Sequence, residues 1–171
     1  MNEIYLAGGC FWGMEKVFRA LDGVAETVVG YANGTTENPT YQEVCTDTTG
    51  HRETVKVVYD PQRISLRKIL KAYFLCIDPA LKNRQGNDIG SQYQTGIYTA
   101  DAESLKIVES CAAEERKKHD CFYTEIMPLK NFWPAEEYHQ NYLEKNPGGY
   151  CHITNEEYEL VKQLNLEEDN G

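Results

Sequence analysis

Apolar positions along the chain recur with two periods, one helical and one alternating, and segments of the two kinds are interleaved. Ile4 to Ala7 is a short apolar run ended by Gly8 and Gly9, as a buried strand reads. Met14, Val17, Phe18 and Leu21 follow at helical spacing, and Gly23 supplies a stop. Cys10 therefore falls where strand turns into helix. Val28 to Tyr31 predicts a second strand, and the polar, turn-rich stretch from Gly34 to Gly50 predicts a long loop. Glu53 to Tyr59 alternates and ends at Asp60–Pro61. Ser65 then opens a helix whose buried stripe is Leu66, Ile69, Leu70, Tyr73 and Phe74. A second loop from Asp78 to Gly90 precedes a strand over Tyr93 to Thr99. Asp101 caps a helix carrying Leu105, Val108, Cys111 and Ala112. Thr124 to Leu129 predicts a strand, Ala135 starts a helix, and a last helix spans about Glu156 to Leu166.

No repeat and no linker divides this pattern, so residues 1–171 read as one domain. The expected class is α+β: a single-domain α/β sandwich with a mixed sheet, a ferredoxin-like core and long irregular loops. Residues 155–171 are expected to form an acidic, solvated C-terminal helix.

Composition narrows the function. The net charge of −10 repels phosphate backbones and anionic lipid, so nucleic acid and membrane surfaces are not expected partners. The one basic cluster, Arg116 to His119, follows Glu114 and Glu115 and reads as a helix C-terminus. With no stretch of membrane-spanning length and no signal pattern at the start, a cytoplasmic protein is expected. That compartment keeps thiols reduced, so the six cysteines are not read as a static disulfide framework. None of them pairs at CxxC spacing, and no metal site is expected.

Among those cysteines, Cys10 stands out. It lies in the run Gly8–Gly9–Cys10–Phe11–Trp12–Gly13 at a helix start, where the dipole and free N–H groups are expected to lower a thiol pKa. The flanking glycines let another molecule approach, and the two aromatics suit an apolar ligand. Glu53 shares a strand face with Val55, Val57 and Tyr59. A carboxyl on that face is either desolvated and held neutral, as a general acid needs, or exposed at the strand's end; spacing alone weighs these equally. Tyr41, Asp88 and Tyr93 lie in or beside the two loops, where composition gives them no more than packing and turn roles. Cys151 follows a mobile Pro147–Gly148–Gly149–Tyr150 segment and suits a resolving thiol, with Cys45 as its competitor.

Taken together these residues resemble the A-type peptide methionine sulfoxide reductases, which are specific for the S epimer. The resemblance runs from the Gly8–Gly13 segment through Tyr41–Cys45, Thr49–Glu53, Asn83–Asp88 and Gln92–Tyr93 to Gly149–His152. It implies that Phe11 and Trp12 hold the substrate's S-methyl group, while Glu53, Tyr41 and Tyr93 surround the sulfoxide oxygen and Asp88 supports them. Cys10 would attack the sulfur, and Cys151 would resolve the resulting sulfenic acid as a disulfide. Thioredoxin would recycle the enzyme, with no metal or bound cofactor; a monomer is expected. Some relatives carry a further cysteine in a glycine-rich tail, and here none follows Cys151. Two rival readings are a cysteine hydrolase using His51, His119, His139 or His152 as base, and a sensor that is oxidised without turnover.

Overall fold

The computed structural model describes residues 1–169 and 171. In chain order the elements are β1 (Asn2–Ala7), α1 (Phe11–Arg19), β2 (Val24–Ala32), α2 (Tyr41–Cys45), β3 (Arg52–Tyr59) and α3 (Leu66–Cys76). There follow the two-residue strands β4 (Arg84–Gln85) and β5 (Asp88–Ile89), then β6 (Gly96–Thr99), α4 (Ala102–Arg116), β7 (Glu125–Pro128) and β8 (Phe132–Pro134). Helices α5 (Tyr142–Lys145) and α6 (Asn155–Gln163) complete the fold.

Six strands form one sheet in the order β7-β6-β1-β3-β2-β8. Only β6 and β7 run parallel; the other pairs are antiparallel, so the sheet is mixed. The unit β1-α1-β2-β3-α3-β6 gives the expected ferredoxin-like core, with β6-β1-β3-β2 as its four central strands.

Alternation in β1 divides the sheet's two faces. Ile4 and Leu6 enter the main core with α1 and α3, while Tyr5 and Ala7 join a smaller cluster on the other side with Ala32 and Tyr98. On β3, Val55, Val57 and Tyr59 face the main core, and Glu53 shares their side of the strand. Leu6 pairs with Val55, so the chain leaves β1 towards Cys10 at the level of Glu53. This register brings an acid and a thiol to one end of the sheet.

Four expectations need correction. The first loop is interrupted by α2, whose Thr40 and Glu43 form a complete capping box. No helix starts at Ala135; a short strand, a 3-10 turn at Glu137–His139 and the four-residue α5 stand there instead. Pro134 and the left-handed Asn141 (φ 53°) break the helical run. The strand expected from Tyr93 begins at Gly96, because Ser91–Tyr93 form a 3-10 turn. The last helix ends at Gln163, and Leu164–Leu166 continue as a 3-10 turn.

Candidate active site

Cys10 is the N-cap of α1 and is 7% exposed. Gly9 reaches it with φ +87°, and a Cβ there would meet the Gln85 Cβ at 2.7 Å, so only glycine fits. Glu53 is 1% exposed, and its Oε1 accepts the Phe11 N–H at 3.2 Å. The carboxyl thus sits against the free N-terminal turn of α1, next to the thiol. Its other oxygen, Oε2, is buried without a hydrogen-bond partner among the described residues. Burial pushes the Glu53 pKa up to about 8, with Asp88 adding to the rise and the Phe11 N–H opposing it. The acid is therefore neutral at pH 7. Of its two sequence readings, the desolvated one is the structure.

The Cys10 thiol departs from expectation. Burial raises its pKa, Glu53 and to a lesser degree Asp88 add to this, and the Trp12 N–H opposes it. The helix end does not dominate because the sulfur has lost its water; desolvation of a thiolate outweighs one helix dipole here. Below pH 8 the neutral Glu53 contributes no repulsion, and burial with the smaller effect of Asp88 remains.

Other chain segments complete the surroundings. Arg52 ties β3 to β7 through Glu125 at 3.0 Å and to the Ser91 carbonyl at 2.9 Å, which fixes the turn carrying Tyr93. Asp47 accepts the Ser91 N–H at 2.8 Å, joining the two long loops. Tyr41 is held at the start of α2 by Glu136, which accepts its backbone N–H at 2.9 Å and the Tyr31 hydroxyl at 2.8 Å. Burial and the Glu53 carboxyl raise the pKa of both Tyr41 and Tyr93, so both keep their hydroxyl protons. Asp88 accepts the Tyr150 hydroxyl at 3.0 Å, which links the second loop to the segment before Cys151.

Phe11 is fully buried, with its ring 5.8 Å from Tyr31. Trp12 is partly buried and stacks on Tyr142 at 3.8 Å. Cys151 lies against α1: a Cβ at Gly13 would come within 3.0 Å of its sulfur. Cys45 is exposed at the end of α2, and all six cysteines are free thiols. Each residue singled out in the sequence thus lies around one junction, and Tyr41, Tyr93 and Asp88 reach it only through tertiary contacts.

Sequence reasoning offered His139 only as a candidate base and missed its place beside Trp12. It is buried, accepts the Trp12 indole N–H at Nδ1 (3.0 Å), and stands among the rings of Phe11, Trp12, Tyr41 and Tyr138. The dense aromatic and polar run from Glu136 to Gln140 was the available signal. Of the other imidazoles, His51 is pinned between the Gly34 N–H and the Thr36 carbonyl, and His119 contacts Glu115. His152 packs beside Cys10: a Cβ at Gly9 would meet its Nε2 at 3.3 Å, and one at Gly13 its Nδ1 at 3.4 Å. Among the described residues no imidazole is hydrogen-bonded to the Cys10 thiol, so the nucleophile–base pair of a cysteine hydrolase is not formed in this structure. No cluster there is fit to hold a metal ion, and no helix is long and apolar enough to cross a membrane.

A buried thiol beside a buried acid on a ferredoxin-like sheet fits the class of thiol-dependent oxidoreductases. Comparison with known proteins gives that class a narrower identity. The family model described as peptide methionine sulfoxide reductase matches residues 2–169, and the chain belongs to that family. A relative from Clostridium acetobutylicum, peptide methionine sulfoxide reductase MsrA, is 55% identical over 157 residues, covering 91% of this chain and 97% of that protein. The crystal structure of Mxr1 from Saccharomyces cerevisiae in reduced form superposes with a TM-score of 0.85 at 38% identity, covering 90% of this chain and 91% of that one. Mxr1 in complex with Trx2 gives 0.60 at 29% identity, over 82% of this chain and 84% of that one.

Proposed function

We propose that this chain reduces methionine S-sulfoxide, free or within proteins, with Cys10 as nucleophile and Glu53 as acid. The observation that carries the reading is the buried, unpartnered Oε2 of a neutral Glu53 beside Cys10. A neutral carboxylic acid has one O–H to donate, and nothing among the described residues takes it. A sulfoxide oxygen supplies the missing acceptor.

In the first step the Cys10 sulfur attacks the sulfoxide sulfur while Glu53 protonates the oxygen. The Tyr41 and Tyr93 hydroxyls, which keep their protons, donate to the same oxygen, and Asp88 steadies the polar side of the site. The thiol's proton returns to Glu53, and the hydroxyl oxygen passes to Cys10 as the substrate's S–O bond and the transient bond between the two sulfurs both break. The net change turns Cys10 thiol and sulfoxide into Cys10 sulfenic acid and thioether; the substrate sulfur gains two electrons and Cys10 loses two. Phe11 and Trp12 provide the apolar surface for the S-methyl group. Cys151, seated one helical turn along α1 at Gly13, then condenses with the sulfenic acid, forming a Cys10–Cys151 disulfide and releasing water.

A dithiol must return both sulfurs to thiols by exchange. The neighbour's complex with Trx2 supports thioredoxin as that reductant. No bound cofactor enters this scheme, and a single chain supplies every group in it. A reducing compartment such as the cytoplasm suits six free thiols.

Mass spectrometry after reaction with S-methionine sulfoxide, without added reductant, tests the scheme. Methionine release with loss of two hydrogens and a mapped Cys10–Cys151 disulfide is expected. A Cys10–Cys45 disulfide would reassign the resolving thiol, and an unchanged protein without methionine would end the proposal.

A further inference from the structure

We propose that His139 is a positioning residue for this reaction: it fixes the plane of the Trp12 indole and thereby the fit of the substrate's methyl group. The inference rests on the reading that Trp12 lines the methyl site.

His139 ends the 3-10 turn Glu137–His139 and is 1% exposed. Its Nδ1 accepts from the Trp12 Nε1–H at 3.0 Å, so that nitrogen carries a lone pair. The ring hydrogen is then on Nε2, which has no hydrogen-bond partner among the described residues. Burial keeps the ring neutral, against a weaker opposing effect of Glu136. A second proton would sit on Nδ1 and set two donors against each other.

Trp12 is thus held in two independent ways. Tyr142 covers one face at 3.8 Å with an interplanar angle of 11°, and His139 holds the edge. The two supports are themselves anchored. The Asn141 backbone N–H, next to Tyr142, donates to the buried Glu15 carboxylate at 2.7 Å. Gln140, next to His139, bonds both the N–H and the carbonyl of Val29. The same imidazole touches Tyr41, with ring centroids 4.6 Å apart, so one side chain connects the methyl side of the site to the hydroxyl side.

A packing role alone explains this poorly. Leucine or phenylalanine would fill the space without leaving a buried nitrogen unpartnered, which is costly. The hydrogen bond to Trp12 is what a histidine offers there and an apolar residue lacks.

The test compares the wild-type protein with His139→Phe and His139→Asn, with a dithiol as reductant. His139→Phe removes the acceptor and is expected to raise KM for methionine sulfoxide roughly 3–10-fold, the worth of one hydrogen bond, with little change in kcat. The Trp12 indole N–H proton resonance, distinguished from that of Trp133 by Trp133→Phe, is expected to move upfield. In His139→Asn the Oδ1 lies close to the former Nδ1, and both effects should be largely restored. An unmoved resonance and unchanged KM in His139→Phe, or a loss of thermal stability alone, would overturn the proposal. Should neither variant fold, the nitrogen-15 spectrum of wild-type His139 decides: a protonated Nδ1 overturns the assignment and a protonated Nε2 upholds it. A wild-type protein that forms no methionine would instead remove the reading of the site, while the indole resonance would still report on the Trp12 bond.

Discussion

At Glu53 a carboxyl has been moved from water into a junction where only one of its oxygens finds a donor. This one placement governs several measurable properties. Glu53→Gln keeps the shape and the acceptor for the Phe11 N–H but cannot deliver a proton, so kcat should fall about 10²–10⁴-fold in steady-state assays. The folded-state pKa of about 8 exceeds the ordinary 4.5, so the group's contribution to stability is complete below pH 4.5 and is lost as pH rises through 8. Wild-type stability measured by denaturant should therefore decline relative to Glu53→Gln across that window, and kcat/KM of the wild type should fall above pH 8. A flat difference between the two proteins would mean that Glu53 is ionised throughout. At this scale the sequence was informative where chemistry is local: Cys10 at a helix start and Glu53 on an apolar face were both visible. The direction of the Cys10 pKa was not, because burial comes from the packing of distant segments. The contact of His139 with Trp12 escaped for the same reason, since the two are remote in the chain.

The elements matter chiefly for the way they hold loops. Helix α2 is too short to persist alone and depends on its capping box and on Glu136 to present Tyr41. Thr40→Ala should cost about 1 kcal/mol and lower kcat by disordering Tyr41, which thermal melting and steady-state kinetics would resolve together. Thr40-x-x-Glu43 is a legible helix signal, hidden by the surrounding polar residues. The opposite error occurred after Ala135, where a helical reading met Pro134 and the left-handed Asn141. Strands β1 and β3 and helices α1 and α3 were legible because each has a clean apolar face. On α1, Gly13→Ala should push Cys151 away from its seat, since the new Cβ would lie 3.0 Å from the sulfur. Methionine formation in a single turnover should survive in that variant while disulfide formation slows, a separation that quenched-flow thiol counting can detect.

For the molecule as a whole, the interleaving of strands and helices announced an α+β domain, but the strand order did not follow from periodicity. Pairing between β1 and β3 or β6 and β7 is decided by distant contacts, which a one-dimensional pattern does not encode. The order nonetheless has a direct chemical result: it collects the two long loops and the start of α1 at one end of the sheet. Cys151→Ser should release one methionine per chain and stop, leaving Cys10 one oxygen heavier by mass, and continuous turnover should collapse.

The two sulfurs proposed to react, Cys10 and Cys151, also stand near opposite ends of this sequence, one before the first helix and the other before α6. A bond between them turns almost the entire backbone into a covalent ring. Ring closure over more than a hundred residues removes conformations from the denatured chain and stabilises the fold by about 4–5 kcal/mol where the native geometry accepts the link without strain. Each catalytic cycle would then alternate between an open-chain protein and a circularised one. The oxidised intermediate should melt at a visibly higher temperature than the reduced enzyme, and its digestion by proteases that act on unfolded chains should be correspondingly slower.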